Sequence, residues 1–382
     1  MSKKNIAALI QLRHDLHKNP ELSGFEIETS KKIVAFLTKC KPSKILYPIA
    51  NTGVLAVFIG NELGPTTLLR CELDALPIDE INSFDHTSTI SGISHKCGHD
   101  GHMAILCGVA QQLSINKNFK GTIYLLFQPA EENGEGAAKV LNDPLFKHVK
   151  PDRVFALHNL PGFPLGQVVV KNQTFSCAVN SMIITLTGKT AHAGEPEKGI
   201  NPAVAISEIV STFNAKIQPD ISQGSFCLIT PIYISMGKKA YGVSAGYGEI
   251  HFTVRSNSNA NMDQIEEKLS LLVENISQKH QLHPTVKWTQ PFRANENNAE
   301  AVSIIRKAAE INGFKLFEKE TAFSWGEDFG LFTQHFSGAM FGLGSGENVP
   351  ALHNPDYDFP DELIPIGVQM FHQILKEIHH AY

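Results

Sequence analysis

Between Ser94 and His102 the chain reads SHKCGHDGH, which sets His95, His99 and His102 beside Cys97 and Asp100. Imidazole and thiolate are the donors that borderline divalent cations prefer. Cys97 and His99, two residues apart, suit convergence on a metal from one loop. Gly98 and Gly101 let the backbone turn sharply between the donors. The apolar run Met103–Leu113 follows at once, so the cluster sits on a tight loop that feeds a buried helix. A surface loop with scattered histidines is the competing reading, but such loops rarely concentrate these side chains without a use. The cluster by itself names neither a metal nor a reaction; it needs partners from elsewhere in the chain.

Candidate partners follow apolar strand-like runs. Glu131 and Glu132 end the run GTIYLLFQPA, and adjacent carboxylates repel unless a cation or proton intervenes, so one can bind metal while the other handles a proton. His158 directly follows RVFAL and reads as a ligand more readily than as a satisfied core histidine. His353, in ALHNP, reads equally as a loop residue or a distant ligand. Asp74 is either a turn residue before Ala75-Leu76-Pro77 or a carboxylate that orients a ligand. His192, in GKTAHAG, is either a plain loop residue or an exposed group free to reach a site.

The positioning elements are expected as follows. Two amphipathic helices, the first ending near Asn19-Pro20 and the second over about Glu26–Cys40, precede strands at Gly53–Gly60 and Thr67–Leu73. Strands then alternate with helices, which indicates an α/β fold with a mostly parallel, helix-covered sheet. Sites in such sheets form at the carboxyl ends of strands, where Asp74, Glu131, Glu132 and His158 all stand. From residue 178 the texture changes to β-α-β-β-α-β, the order of a ferredoxin-like α+β module. The expected division is a catalytic metal-binding domain over 1–177 and 291–382, with an inserted lid or dimerisation domain over 178–290.

The chain has 382 residues and a net charge of -5, with no basic stripe, which argues against nucleic acid or an anionic membrane as partner. No apolar run approaches a membrane span, and the five-residue run Ile6–Ile10 is too short for a signal peptide. The six cysteines form no CxxC pair, so a reduced, cytoplasmic protein is expected. The missing CxxC also sets aside a zinc deaminase, which needs H-x-E and P-C-x-x-C.

With these residues assembled, the chain resembles the amidohydrolase branch of the aminoacylase and carboxypeptidase metallohydrolase superfamily. That branch includes hippurate hydrolases, N-acyl-amino-acid amidohydrolases and indole-acetyl-amino-acid hydrolases. The likeness runs through ordered blocks: HDLHKNPELSGFEIET, LLRCELDALPI, SHKCGHDGHMA, FQPAEENGEGA, LHNLPGFPLG, GKTAHAGEPEKGINP, GEDFGLF and LHNPDYDFPDE. The resemblance implies a di-metal, exopeptidase-like catalytic domain holding two divalent ions, Zn²⁺ foremost, with Mn²⁺, Co²⁺ or Ni²⁺ as alternatives. Carried over by position, Cys97, His99, Glu132, His158 and His353 are the metal ligands and Glu131 the general base. Asp74 is the auxiliary acidic residue, His192 reaches the substrate carbonyl, often from a partner subunit, and Arg255 holds a substrate carboxylate. A homodimer is compatible with this arrangement. Two departures stand out: Glu72 occupies a position where the branch usually shows Asp, and Asn159-Leu160-Pro161-Gly162 varies the segment after His158, which bears on pocket shape.

The implied reaction is cleavage of an N-acyl amino acid to a carboxylic acid and a free amino acid. Two other readings are a dipeptidase or carboxypeptidase on short peptides and a catalytically silent, metal-stabilised binding protein. The presence of both Glu131 and His192 argues against the silent protein.

Overall fold

Residues Met103–Ala110 are apolar or glycine at every position, and a helix without a polar face has to be buried on all sides. In the computed structural model, which describes residues 1–380, that stretch is fully enclosed within the helix His99–Ile115. The described residues divide into two units. One comprises Met1–Phe175, Asn295–Glu320 and the chain from Asp328; the other comprises Ser176–Ala294 and Thr321–Glu327.

The first unit contains α1 (Lys3–Lys18), α2 (Ile27–Lys39), β1 (Lys44–Ile49), β2 (Gly53–Ile59), β3 (Glu62–Glu72) and α3 (His99–Ile115). Then come β4 (Lys120–Gln128), β5 (Arg153–Pro161) and β6 (Val168–Val170). The second unit follows with β7 (Ala178–Thr187), α4 (Ala203–Asn214), β8 (Cys227–Met236), β9 (Tyr247–Ser256), α5 (Asn259–Lys279) and β10 (His283–Phe292). The first unit resumes with α6 (Ala299–Asn312), β11 (Leu316–Glu318), β12 (Gly338–Gly346) and α7 (Leu363–His379).

Among the described residues the first unit's sheet has the order β1-β2-β4-β3-β5-β12-β6-β11. Its four central strands are parallel, with registers such as Cys71↔Phe127, Leu69↔Phe155 and Phe341↔Leu157. The antiparallel pairings are β1 with β2, β2 with β4, and β6 with β12. This is the expected α/β architecture with a mostly parallel centre. The short strands β1, β6 and β11 were not anticipated, because three to six residues with mixed polarity carry little periodicity. β5 also continues three residues past His158, so that histidine lies within the strand rather than after it. The long strand β3 is exposed at Glu62–Gly64 and buried from Thr67, so only its second half was legible as apolar.

α3 packs between the sheet and helices α1 and α7, in one continuous apolar core. Glycine makes this approach possible. A Cβ built on Gly101, in the first turn of α3, would overlap the ring of Phe359, which is itself buried. Gly101→Ala is therefore expected to destabilise the protein by about 1–3 kcal/mol through overpacking. A thermal unfolding midpoint equal to wild type would show that the Phe359 ring can move at no cost.

The second unit is the expected ferredoxin-like module. Its four strands are antiparallel in the order β8-β9-β7-β10, with α4 and α5 contributing Ile206, Ile209, Met262 and Leu269 to its core. β9 alternates strictly between buried and partly exposed residues, the mark of a sheet with one covered face. The return segment Thr321–Glu327 belongs to this unit, with Cys177 N bonded to Phe323 O at 3.0 Å. No helix among the described residues is long and apolar enough to cross a membrane.

Candidate metal centre

Four neighbouring strands, β4, β3, β5 and β12, lead into the segments that carry the candidate residues. Glu131 and Glu132 follow β4, Asp74 follows β3, His158 lies near the end of β5, and His353 follows β12. Cys97 and His99 arrive on the loop between β3 and α3, with His99 as the first helical residue and Gly98 at φ +94° before it.

Two overlapping groups share Cys97 and have donor atoms within 4.8 Å of one another, Cys97–His99–His158 and Cys97–Glu132–His353; a further group, His99–Glu131–Glu132, overlaps both. Cys97 Sγ is 3.5 Å from His158 Nε2, and His353 Nε2 is 3.7 Å from Glu132 Oε2. The other Glu132 oxygen, Oε1, is 3.8 Å from His99 Nε2, so this carboxylate faces both groups. Donors around a tetrahedral ion with bonds of about 2.0–2.3 Å stand roughly 3.3–3.7 Å apart, so these spacings are close to those of a coordination shell.

The histidine orientations point the same way. His99 Nδ1 lies 2.8 Å from the Asp74 carbonyl oxygen, and His158 Nδ1 lies 2.8 Å from the Asn159 carbonyl oxygen. Each Nδ1–H donating to a carbonyl fixes the tautomer that presents Nε2 as a lone pair, as metal-binding histidines require. His99 Nε2 is buried and has no hydrogen-bond partner among the described residues. A buried nitrogen without a partner is costly, and a cation bound there would satisfy it. These residues therefore fit divalent metal.

The electrostatics agree. Burial disfavours charge on His99, yet the Asp74 hydrogen bond and the fields of Glu72, Glu132 and Asp74 carry its pKa up to about 10. That shift reports a pocket that seeks positive charge. His158 moves the other way, to about 3, through burial and the neighbouring His102, and stays a neutral donor. Burial would raise the Asp74 carboxyl, but hydrogen bonds from His99, Ser23 and the Glu132 amide, with the His99 charge, hold it below the usual range.

Several supporting residues were not singled out from sequence. Ser23 Oγ donates to Asp74 Oδ2 at 2.7 Å, and Glu132 N donates to the same oxygen at 2.9 Å. Glu26 accepts from Ala130 N at 2.8 Å, which secures Ala130 at φ +53° immediately before the paired glutamates. Asp328 N lies 3.4 Å from Glu131 Oε1, while the Asp328 carboxylate holds Gln128 Nε2, Ala137 N and Arg70. The blocks HKNPELSGFE and GEDFG thus support the segment that carries Glu131 and Glu132, a role that shows only once the chain is folded.

Glu72 and Asn159 also have structural explanations. Glu72 pairs with Arg70 and lies 2.6 Å from His102 Nδ1. His102 Nε2 lies 2.6 Å from Asn159 Oδ1, and Asn159 Nδ2 donates to Tyr357 Oη at 2.5 Å. Glu72, His99 and His102 do form a compact donor group, but hydrogen bonding within the fold accounts for Glu72 and His102. The Asn159 side chain is fully buried and meets His102, so at this position the departure bears on the support of an imidazole.

His192 and Arg255 lie in the second unit. His192 is exposed on a two-residue strand paired with Val243, and its Nδ1 accepts from Gly194 N at 3.1 Å. Arg255, in β9, donates from Nη1 to the Ser324 carbonyl at 2.7 Å, which ties it to the return segment.

Residues 68–377 match the model of peptidase family M20/M25/M40. The chain is 33% identical over 362 residues to an N-acetyl-L-cysteine deacetylase of Bacillus subtilis, covering 93% of this chain and 84% of that one. It is 29% identical over 356 residues to a hippurate hydrolase of Campylobacter jejuni, covering 93% and 92%. A crystal structure of a Bacillus subtilis protein, described as a dinuclear metal-binding peptidase of the M20 family, superposes with a TM-score of 0.85 at 28% identity over the full length of both chains. With a core of histidine, cysteine and carboxylate donors at the carboxyl edge of its sheet, the chain belongs to peptidase family M20/M25/M40 and is a metal-dependent hydrolase.

Proposed function

We propose that the protein is a di-metal amidohydrolase that cleaves the amide bond of N-acyl amino acids, releasing a carboxylic acid and a free amino acid. The observation that carries this reading is the pair of donor groups sharing Cys97, with Glu131 Oε2 only 4.0 Å from His99 Nε2. Cys97, His99, Glu132, His158 and His353 would hold two divalent ions, which acidify water and polarise a carbonyl. Zn²⁺ suits the thiolate and imidazole donors, with Mn²⁺, Co²⁺ or Ni²⁺ as alternatives.

Glu131 takes the proton of the attacking water and returns it to the leaving amine. Asp74 keeps the His99 ring in its presenting tautomer. His192 donates a hydrogen bond to the developing oxyanion, and Arg255 pairs with the substrate carboxylate. The names of the relatives support an N-acyl amino acid as substrate, since a deacetylase and a hippurate hydrolase both act on such amides.

The test is a panel of N-acetyl and N-benzoyl amino acids beside dipeptides, on metal-reconstituted protein with and without chelator. Chelator-sensitive release of free amino acid from an acyl substrate is expected, with kcat/KM above that for any dipeptide. Cleavage of dipeptides alone would move the reading to a peptidase, and no turnover on either class would leave a metal-stabilised binding protein.

Two further parts of the reading concern assembly and location. β8 forms an edge of the second unit's sheet, and Ile232, Tyr233, Ile234 and Met236 are exposed along it. An apolar edge strand of this kind is usually covered, which supports a homodimer through this unit. Light scattering should give twice the chain mass; a monomer at micromolar concentration would remove this part. All six cysteines are buried and none is in a disulfide among the described residues, which fits a cytoplasmic protein and is checked by cell fractionation.

A further inference from the structure

Behind the ligand segments lies a buried ionic network that the proposed chemistry does not use. Arg13, on α1, is 1% exposed. Its Nε donates to Asp100 Oδ2 at 2.8 Å, Nη1 donates to Asp361 Oδ1 at 3.1 Å, and Nη2 donates to Asp358. Asp100 follows His99 directly, whereas Asp358 and Asp361 lie just beyond His353. One guanidinium therefore ties the segment carrying Cys97 and His99 to the segment carrying His353.

A second tie runs beside it. His353 N donates to the Lys96 carbonyl at 2.8 Å, and Lys96 Nζ donates to the Tyr357 carbonyl at 2.8 Å and to Glu80. His17 links the two ties, with Nδ1 at 2.8 Å from Asp100 Oδ2 and Nε2 at 3.0 Å from Glu80 Oε1.

Stability alone is a weak reason for such a network, because dehydrating buried charges offsets much of their attraction. Geometry is a better one. His353 adopts φ +67°, a left-handed conformation uncommon for residues other than glycine, which surrounding contacts have to maintain. The guanidinium presents five donors in a rigid planar fork and reaches carboxylates from three separate positions at once; an ammonium carries its three donors on one atom and lacks that fork.

We infer that Arg13 is a positioning residue for the metal centre: it sets the spacing between the Cys97–His99 segment and the His353 segment, and so the affinity of the Cys97–Glu132–His353 group for its ion. The inference rests on the ligand reading above.

The test is calorimetric titration of the full-length apoprotein with Zn²⁺, in wild type, Arg13→Met, Arg13→Lys, Asp358→Asn and His353→Ala. Wild type should show two binding events, and His353→Ala should lose one of them. Arg13→Met should weaken that same event by about 10- to 100-fold, the range for groups that support a ligand, and leave the other within about threefold. Arg13→Lys should remain weakened, since it restores the charge without the fork.

A purely structural role would lower the unfolding temperature and leave both events unchanged, or weaken both equally; either result in a folded Arg13→Met protein overturns the inference. If Arg13→Met does not fold, Asp358→Asn decides. Asp358 is partly exposed, and its neutralisation should weaken the His353-dependent event at least threefold; an unchanged event overturns the inference. If His353→Ala keeps both events, the ligand reading itself fails and the inference falls with it.

Discussion

Glu131→Gln is expected to lower kcat by about 10²- to 10⁴-fold while the protein keeps its full metal content. The amide matches the carboxylate in shape but has no basicity, so it can neither take a proton from water nor return one to an amine. The position of Glu131 suits proton transfer. It is 5% exposed, Oε2 stands 4.0 Å from His99 Nε2, and Oε1 is 3.4 Å from the Asp328 amide. The neighbouring Glu132, whose backbone N–H donates to Asp74, is the carboxylate that faces both donor groups. The two glutamates can therefore be separated by experiment. Glu131→Gln should affect kcat with KM and metal stoichiometry near wild type, whereas Glu132→Gln should lose metal first. A Glu131→Gln enzyme turning over within threefold of wild type, measured on the best acyl substrate, would remove Glu131 from the proton path.

The partners of the Cys97–His99 cluster that were legible from sequence share one physical property: each lies near or beyond the carboxyl end of a long apolar strand. β4 and β5 are buried runs with a polar residue at or beyond their carboxyl ends, and in a parallel sheet those ends share one edge. His353 did not have that advantage. It follows β12, but a loop of several residues separates the two. Its place beside Glu132 depends on the backbone bond to Lys96, a contact between residues more than 250 positions apart. The ferredoxin-like module was legible for the opposite reason, since its strands alternate and its helices keep an apolar stripe.

The supporting network was illegible because its bonds run between distant segments. Arg13 reaches Asp361 across 348 positions, and Arg70 reaches Asp328 across 258. A buried arginine on an otherwise amphipathic helix looks like any solvated one until the helix is placed. Arg13, Arg70, Lys96, Glu72 and Asp100 are buried and bonded within the fold, so much of the charge near the centre links one segment to another. The blocks that carried the resemblance divide accordingly: SHKCGHDGHMA and FQPAEENGEGA carry the candidate donors, whereas HDLHKNPELSGFEIET and LLRCELDALPI mainly hold those segments in place.

Cys97→Ala is expected to remove metal more completely than His158→Ala or His353→Ala, because Cys97 belongs to both of the groups that contain those histidines. His158→Ala removes a donor from the Cys97–His99–His158 group alone, and His353→Ala from the Cys97–Glu132–His353 group alone, so each should spare most of the affinity of the other. With Cys97 gone, neither group keeps three donors, and affinity at both should fall by more than the roughly 10- to 100-fold typical of losing a supporting residue. The loss need not come from misfolding. Cys97 precedes the Gly98 turn, and the smaller alanine leaves that turn and the His99 helix start intact. The apoprotein should therefore unfold near the wild-type temperature, while the stabilisation by added metal, about 2.7 kcal/mol at a hundredfold excess over Kd, should vanish. Cys97→Asp separates charge from softness, since a carboxylate can still contact two ions whereas alanine can contact none. It should recover part of the metal-induced rise in unfolding temperature, most visibly with Mn²⁺, which prefers oxygen to sulfur. Elemental analysis after dialysis that finds two ions per chain in Cys97→Ala would exclude the thiolate as the shared donor, and with it the overlapping-group account of this centre.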